Sequence, residues 1–309
     1  MQAFLSQIPQ QLVNGLTLGA VYALIALGYS MVYGILGLLN FAHGDVYMVG
    51  AFIGYGVLNA LVPDQTPLIP AALVIIAMLL ITMIGTGFLG VVIERIAYRP
   101  LRNAPRIAPL ISALGVSFFL ENAILLTQSA RYREYRTELL ISPRLGIDVG
   151  PAHMSLTRGL VIATAVLLMI ALTYFVRRTR LGRAMRAVSI DKEAAAMMGV
   201  DVDRVIVVTF FIGSALAGAA GVLYGLVFNQ IWQLMGFTAG LKGFTAAVIG
   251  GIGNVPGAMI GGLFLGLLET FAIGFISPTY KDAIAFVVLV LILLIRPSGL
   301  LGVRVAQKV

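Results

Sequence analysis

The 309-residue chain has no cysteine and only two histidines, His43 and His153. The first absence excludes disulfides, thiolate catalysis and cysteine-held iron–sulfur clusters, and two histidines so far apart give no basis for a His-based metal centre. Charge is equally scarce, at 11% of residues against 60% hydrophobic and a mean hydropathy of +0.99. None of the four lysines (Lys192, Lys242, Lys281, Lys308) precedes Ser or Thr, so no Walker A loop is present and the chain cannot be a P-loop ATPase by itself. HEXXH, Glu-x-x-His and Ser/His/Asp arrangements are missing too, which argues against an intramembrane protease or transferase. The opening MQAFLSQIPQQ lacks Lys and Arg, so it has no signal-peptide n-region and is compatible with an external N-terminus.

What is present is apolar sequence in long runs, the composition of an all-α polytopic membrane protein. The net charge of +8 lies in the gaps between those runs, without an aromatic-interleaved basic groove. It therefore reports topology and anionic headgroups rather than nucleic acid. Spans are expected over Leu12–Leu39, Asn40–Val62, Leu68–Ile93, Ile107–Gln128, Gly159–Val176, Val205–Phe228, Val255–Ile276 and Ala283–Ile295, long enough for the ~20 apolar residues that cross a bilayer except the last, which covers only ~20 Å and needs Lys281 and Arg296 to snorkel. The stretch 237–253 reads either as a short crossing or as a re-entrant segment, giving eight or nine spans in one transmembrane domain over residues 1–309. Arg95, Arg99, Arg102 and Arg106 form one basic loop and 177–204 another, both cytoplasmic by the positive-inside rule. The charged loop 129–158 alternates to the outside, and the tail with Arg304 and Lys308 to the cytoplasm.

Within RRTRLGRAMRAVSIDKEAAAMMGVDVDR, at 177–204, a short helix carries its own stop signal. Asp191 and Glu193 favour its N-terminus, Ala194 to Met198 propagate it, and Gly199 suits the left-handed position past its end. Such a helix is marginal alone in water. Held between spans, it reads either as a knob for a partner's groove or as a solvated basic loop.

Four ionisable groups lie in or beside spans: His43, Asp45, Glu121 and Glu269. A carboxylate at a helix centre costs ~2.5–3.5 kcal/mol on insertion scales, so each is expected to face the bundle interior with a partner. They read as a polar lining for a small solute, as a proton relay or as structural hydrogen bonds. His43 and Asp45 are two apart on a helix, which opposes a local dyad. Gly-x3-Gly pairs at Gly15/Gly19, Gly50/Gly54, Gly221/Gly225, Gly257/Gly261 and Gly262/Gly266 support a tight bundle or a subunit interface. The loop Gly250-Gly251-Ile252-Gly253-Asn254 fails as a dinucleotide fingerprint, because Pro256 stands where a third Gly should be and no strand precedes it; it reads as a hinge. GLLNFAHGDVYMVGAFIG and GGIGNVPGAMIGGLFLG suggest a parallel internal repeat.

Glu193-Ala194-Ala195-x3-Gly199 resembles the coupling motif of ABC importer permeases, although the Leu-Pro that continues that motif is absent here. With NGLTLGAVYALIALGYSMVYGILGLLNFAHGDVYMVGAF, ERIAYRPLR, LGRAMRAVSIDKEAAAMMGV and FTAAVIGGIGNVPGAMIGGL, the chain is similar over almost its full length to permeases of branched-chain amino-acid ABC importers. The resemblance implies an inner-membrane subunit, itself neither an enzyme nor a cofactor binder, paired with a second permease. It further implies two ATPase subunits that use ATP and Mg, and a periplasmic binding protein that delivers Leu, Ile or Val. It assigns Arg183, Arg186, Glu193, Ala194, Ala195 and Gly199 to ATPase coupling. Asn40, His43, Gly44, Asp45, Gly250, Gly251, Gly253 and Asn254 match its recurring segments, with a pathway or gating role expected for them and for Glu121 and Glu269. Urea and short-amide permeases share some of these segments. A proton-coupled secondary carrier and a passive channel are the readings from other classes.

Overall fold

The computed structural model describes residues 2–63, 66–102, 104–105, 107–142 and 144–302. Arg106, Arg304 and Lys308, counted above, lie outside them. In chain order the helices are α1 (Gln2–Leu36), α2 (His43–Leu61), α3 (Ala71–Ile93), α4 (Ile107–Gln128), α5 (Leu156–Arg178), α6 (Arg180–Ile190), α7 (Lys192–Met197), α8 (Val202–Phe228), α9 (Met235–Gly250), α10 (Val255–Phe275) and α11 (Lys281–Ile295). Eight of these, all but α6, α7 and α9, are long and apolar enough to cross a membrane. The protein is an all-α polytopic membrane protein.

Two ends are distinguished by their connections. At the hairpin end, β2 (Gly146–Val149) pairs antiparallel with β3 (Ala152–Ser155), and β1 (Arg133–Glu134) with β4 (Gln230–Ile231). α1 joins the β2–β3 hairpin through the Gln10 side chain, which accepts from His153 N at 2.8 Å. At the α7 end lie the close of α1, the 94–102 segment, α6, α7 and the α9–α10 loop. The chain enters α9 from β4 at the hairpin end and leaves it at the α7 end, so 237–253 makes a ninth passage and is not re-entrant. Its 16 residues rise only ~24 Å. That is short for lipid but suits a helix buried against α1, α2 and α10.

Several elements differ from expectation, three of them at the α7 end. α1 stops at Leu36 rather than Leu39, because Gly37 turns the backbone left-handed at φ +68°. α3 continues through a π turn (Glu94–Tyr98) and a 3₁₀ turn (Arg99–Leu101), so half of the expected basic loop is helical. The region 177–204 holds two helices where one was expected, because Gly182, Met185 and Val188 give α6 a narrow buried stripe beneath its arginines.

The core is built on small-residue seams. An added Cβ at Gly15 or Gly19 would stand 2.9 and 2.8 Å from the α10 backbone at Leu267 and Leu263, and Gly266 lies directly on the Gly19 backbone. Gly50 faces Gly218, Gly221 packs on Tyr47 and Ala51, and Gly257 and Gly261 pack on α9. The Gly pairs thus serve contacts inside this chain. In lipid, where apolar surface gains little by leaving the tails, such close approach supplies the packing energy. Around this centre α3, α4, α5 and α11 turn large apolar side chains outward, Ile84, Phe119, Leu167 and Leu294 among them.

The seam is testable by overpacking. Gly266→Leu is expected to destabilise by ~1–3 kcal/mol or more, read as lost monodisperse protein after heating in detergent. Gly115→Ala, with open space around its Cα, is expected to leave the profile unchanged.

Candidate functional site

The first turn of α2 does not lie at the end of the bundle. The His43 ring fills the space where a Gly28 side chain would stand, and that position is 2.9 Å from the Gly213 carbonyl. α1 continues ~12 Å beyond Gly28 to Leu36, and α8 has already risen ~16 Å from Val202 to Gly213. The strap 37–42 therefore carries the chain back into the bundle before α2 begins. Several of its backbone carbonyls are met by protein, as irregular backbone at membrane depth requires. His43 N donates to Asn40 O at 3.1 Å, and Asp45 N to Ala42 O at 3.1 Å. The Tyr98 hydroxyl lies 3.2 Å from Leu39 O and 3.1 Å from Asn40 Oδ1, so its proton is shared between them.

Three of the expected residues meet here and point different ways. His43, 1% exposed, stacks edge-on against Tyr29 with centroids 4.7 Å apart. Gly44 sits directly on Gly236 and Gly240 of α9. Asp45, also 1% exposed, accepts from the Ser117 hydroxyl through Oδ2, while its Oδ1 faces Gly236 without a hydrogen bond. The carboxylate thus lies at the N-termini of both α2 and α9, where two helix dipoles favour negative charge.

Glu269 belongs to a second cluster, nearer the hairpin end. Its Oε2 accepts from the Tyr22 hydroxyl at 2.9 Å and its Oε1 from Lys242 Nζ at 2.7 Å, while Lys242 also ion-pairs Asp282 at 2.6 Å. Lys242 and Asp282 were not anticipated. A lone Lys in a Gly-rich stretch gives no periodic signal, although an ionisable residue inside a span is itself a pointer to function. Glu121 departs from expectation. It lies partly exposed on peripheral α4, one turn beyond buried Ser117 at the edge of the face that packs on α2, with no hydrogen-bond or ion-pair partner among the described residues.

The α9–α10 loop forms a tight corner at the α7 end. Gly251 and Gly253 adopt φ of +107° and +85°, Gly253 packs on Gly34, and Gly250 on Gly257. Asn254 caps α10 through Gly257 N at 3.2 Å and donates to Leu301 O at 2.6 Å. Leu300 N and Leu301 N bond the last carbonyls of α9. Asn254 and Asn40 thus both precede a helix running from the α7 end, but only Asn254 caps one.

The α7 region is preformed. Asp191 accepts from Glu193 N and Ala194 N, both at 3.0 Å, each such cap contributing ~1 kcal/mol. Gly199, at φ +80°, closes the helix by donating to Ala196 O while Val200 donates to Ala195 O, the paired bonds of a Schellman motif. Only Ala195 is buried; Glu193 and Ala194 are exposed, and Ile190, Met197 and Met198 are 87%, 82% and 85% exposed. Arg183 projects outward from α6, while Arg186 donates to the Val176 carbonyl of α5. Lys192 reaches back to Leu36 O at 3.1 Å, at the negative end of the α1 dipole. Burial, with Arg102 nearby, holds its ammonium below the usual lysine range. A cavity of about 1020 Å³ opens between this region, the end of α1 and the α9–α10 loop. Beside it, Arg102 bridges fully buried Glu94 and exposed Asp203, and Arg99 joins Asp203 at 2.6 Å.

A bundle of membrane helices with a preformed exposed helix at one end and buried charge within fits the class of membrane permeases. The chain matches the family described as branched-chain amino acid transport system / permease component over residues 11–293, and it belongs to that family. It is 45% identical over 97% of both chains to the high-affinity branched-chain amino acid transport system permease protein BraD of Pseudomonas aeruginosa. Identity to the LivH permease proteins of Escherichia coli K12 and Salmonella typhimurium is 44%, again over 97% of each chain.

Removing Arg102 strands Glu94, whereas removing Arg99 breaks only an exposed pair. Arg102→Met is expected to cost ~3–5 kcal/mol and Arg99→Ala under ~1 kcal/mol, compared by thermal unfolding in one detergent.

Proposed function

We propose that this chain is the translocation subunit of an ATP-driven importer in a bacterial inner membrane, moving Leu, Ile or Val by alternating access. Its family and its similarity to BraD and LivH support the substrate class. The observation that carries the ATP-driven mechanism is α7, capped at both ends and presenting Met197 and Met198 to a partner rather than to its own bundle. Two ATPase subunits dock on the cytoplasmic loops of a permease pair, one of them on this knob, bind ATP and Mg and do the hydrolysis. A second permease completes the pathway, and a periplasmic binding protein delivers solute at the hairpin end. Arg95, Arg99, Arg102, Arg177, Arg178, Arg183 and Arg186 gather at the α7 end, which supports a cytoplasmic reading of that end by the positive-inside rule.

Coupling follows a short mechanical route. When the ATPases close, α7 moves as a lever; Lys192 ties it to the last carbonyl of α1, and the strap beginning at Gly37 ends at His43, Gly44 and Asp45. There Gly44 lies on Gly236 and Gly240, so a small shift of the strap parts or seals α2 and α9. The corner at Gly250, Gly251, Gly253 and Asn254 is the hinge on which α9 and α10 follow. Asp45, Glu121 and Glu269 do not form a continuous relay: Glu269 is held by Lys242 and Tyr22, and Glu121 has no partner among the described residues. This favours ATP drive over proton coupling.

Affinity capture of the chain from solubilised native membranes tests the reading. Wild type is expected to bring down an ATPase, and Glu193→Arg with Gly199→Pro to lose at least ~10-fold of it, equivalent to ~1.4 kcal/mol. Wild type without an ATPase in several mild detergents overturns the proposal.

A further inference from the structure

The Lys242 cluster lines a cavity of about 230 Å³ at the hairpin end, walled by α1, α2, α8, α9, α10 and the start of α11. That is below the ~300–1,000 Å³ of sites for drug-sized ligands, a space scaled to one small solute. One wall is aromatic: Tyr47, Tyr224, Phe228 and Trp232, with Tyr224 4.4 Å from Phe228 and 6.0 Å from Tyr47 between ring centroids. The other is ionic. Lys242, its side chain 8% exposed, is shared between Glu269, 3% exposed, and Asp282, 50% exposed, while Tyr22 donates to the second oxygen of Glu269. Lys281 also borders the cavity, so its charged groups balance.

Buried ion pairs inside a membrane protein are costly and are weak devices for stability. Here one cation serves two carboxylates on two other helices, and the group faces open space. We propose that this cavity is a zwitterion site, in which the α-carboxylate of an amino acid takes the place of a carboxylate on Lys242. The α-ammonium then pairs with Glu269 and Asp282, and the aliphatic side chain lies on the aromatic wall. The exchange leaves every buried charge paired, so the solute is admitted without a bare ion at membrane depth. A solute lacking either charge leaves Lys242 or the carboxylates without the new partner, which sets the substrate class as α-amino acids with short apolar side chains. Met235, which lines the cavity, adjoins Gly236 and its contact with Gly44 in the chain.

The inference rests on the importer reading, and its test separates the two. Trp232 is the one tryptophan in the chain and lies in the cavity wall, so its emission reports this site alone. The full chain in lipid nanodiscs is titrated with L-leucine, with 4-methylpentanoate, which lacks the ammonium, and with 3-methylbutylamine, which lacks the carboxylate. Leucine is expected to give a saturable change at a concentration at least ~10-fold below either analogue. Lys242→Met with Glu269→Gln, which removes the pair together, is expected to abolish the response, and Lys242→Arg to retain it. Absence of a saturable leucine response, or equal midpoints for leucine and 4-methylpentanoate, overturns the site. The analogue comparison on wild type decides the matter even where the double variant does not fold. Import by the assembled transporter is measured in parallel. Wild type that imports leucine alongside a double variant with unchanged KM and rate refutes the site and leaves the importer reading standing. Wild type that imports no leucine refutes the reading.

Discussion

Close approach of helix backbones at glycine is the constraint on which the other features depend. Lipid tails are as apolar as the helices they surround, so this bundle coheres through contact area rather than expulsion from water. The seams of α1 with α10, α2 with α8 and α9 with α10 bring main chains together where any side chain would intrude. Only because these helices are so near can α2 start inside the bundle with His43 and Asp45 enclosed, and can one lysine on α9 reach carboxylates on α10 and α11.

Those enclosed groups divide between two levels with different tasks. Toward the hairpin end, Lys242, Glu269 and Asp282 form a balanced charged pocket that gains by exchanging partners with a zwitterion. Deeper, the first turn of α2 presses glycine on glycine against α9, a contact without side chains to unlock. Such a contact opens with a small displacement, and the strap 37–42 that positions it is tied to Tyr98 on one side and, through Leu36, to α7 on the other.

Much of this was readable in the residues. Ile107–Gln128 matches α4, Asp191 and Gly199 bound α7 as their chemistry requires, and the Gly pairs all lie in seams. Family membership was also legible, because the motifs that carry it are dense and span the chain. Depth was not: hydropathy treats Asn40–Val62 as one span, and only the contacts of Gly28 with His43 and Gly213 place its start within the bundle. α6 escaped notice because its buried stripe is three residues wide under an arginine-rich surface. Lys242 escaped because its partners lie on other helices, Glu269 and Asp282 being brought to it by folding alone. Glu121 was expected to face inward because a carboxylate in an apolar run usually must, yet a peripheral helix leaves it partly exposed.

In the proposed mechanism α7 and the cavity are two ends of one switch. The chain is free of cysteine, so a single introduced thiol is the only thiol labelled within it. Thr238→Cys, in the cavity wall, is labelled with a membrane-impermeant maleimide in the assembled transporter, applied from each side, with and without a non-hydrolysable ATP analogue. The account predicts that the nucleotide exchanges the reactive side, the hairpin side in one state and the α7 side in the other. Reactivity from the same side in both states would contradict it.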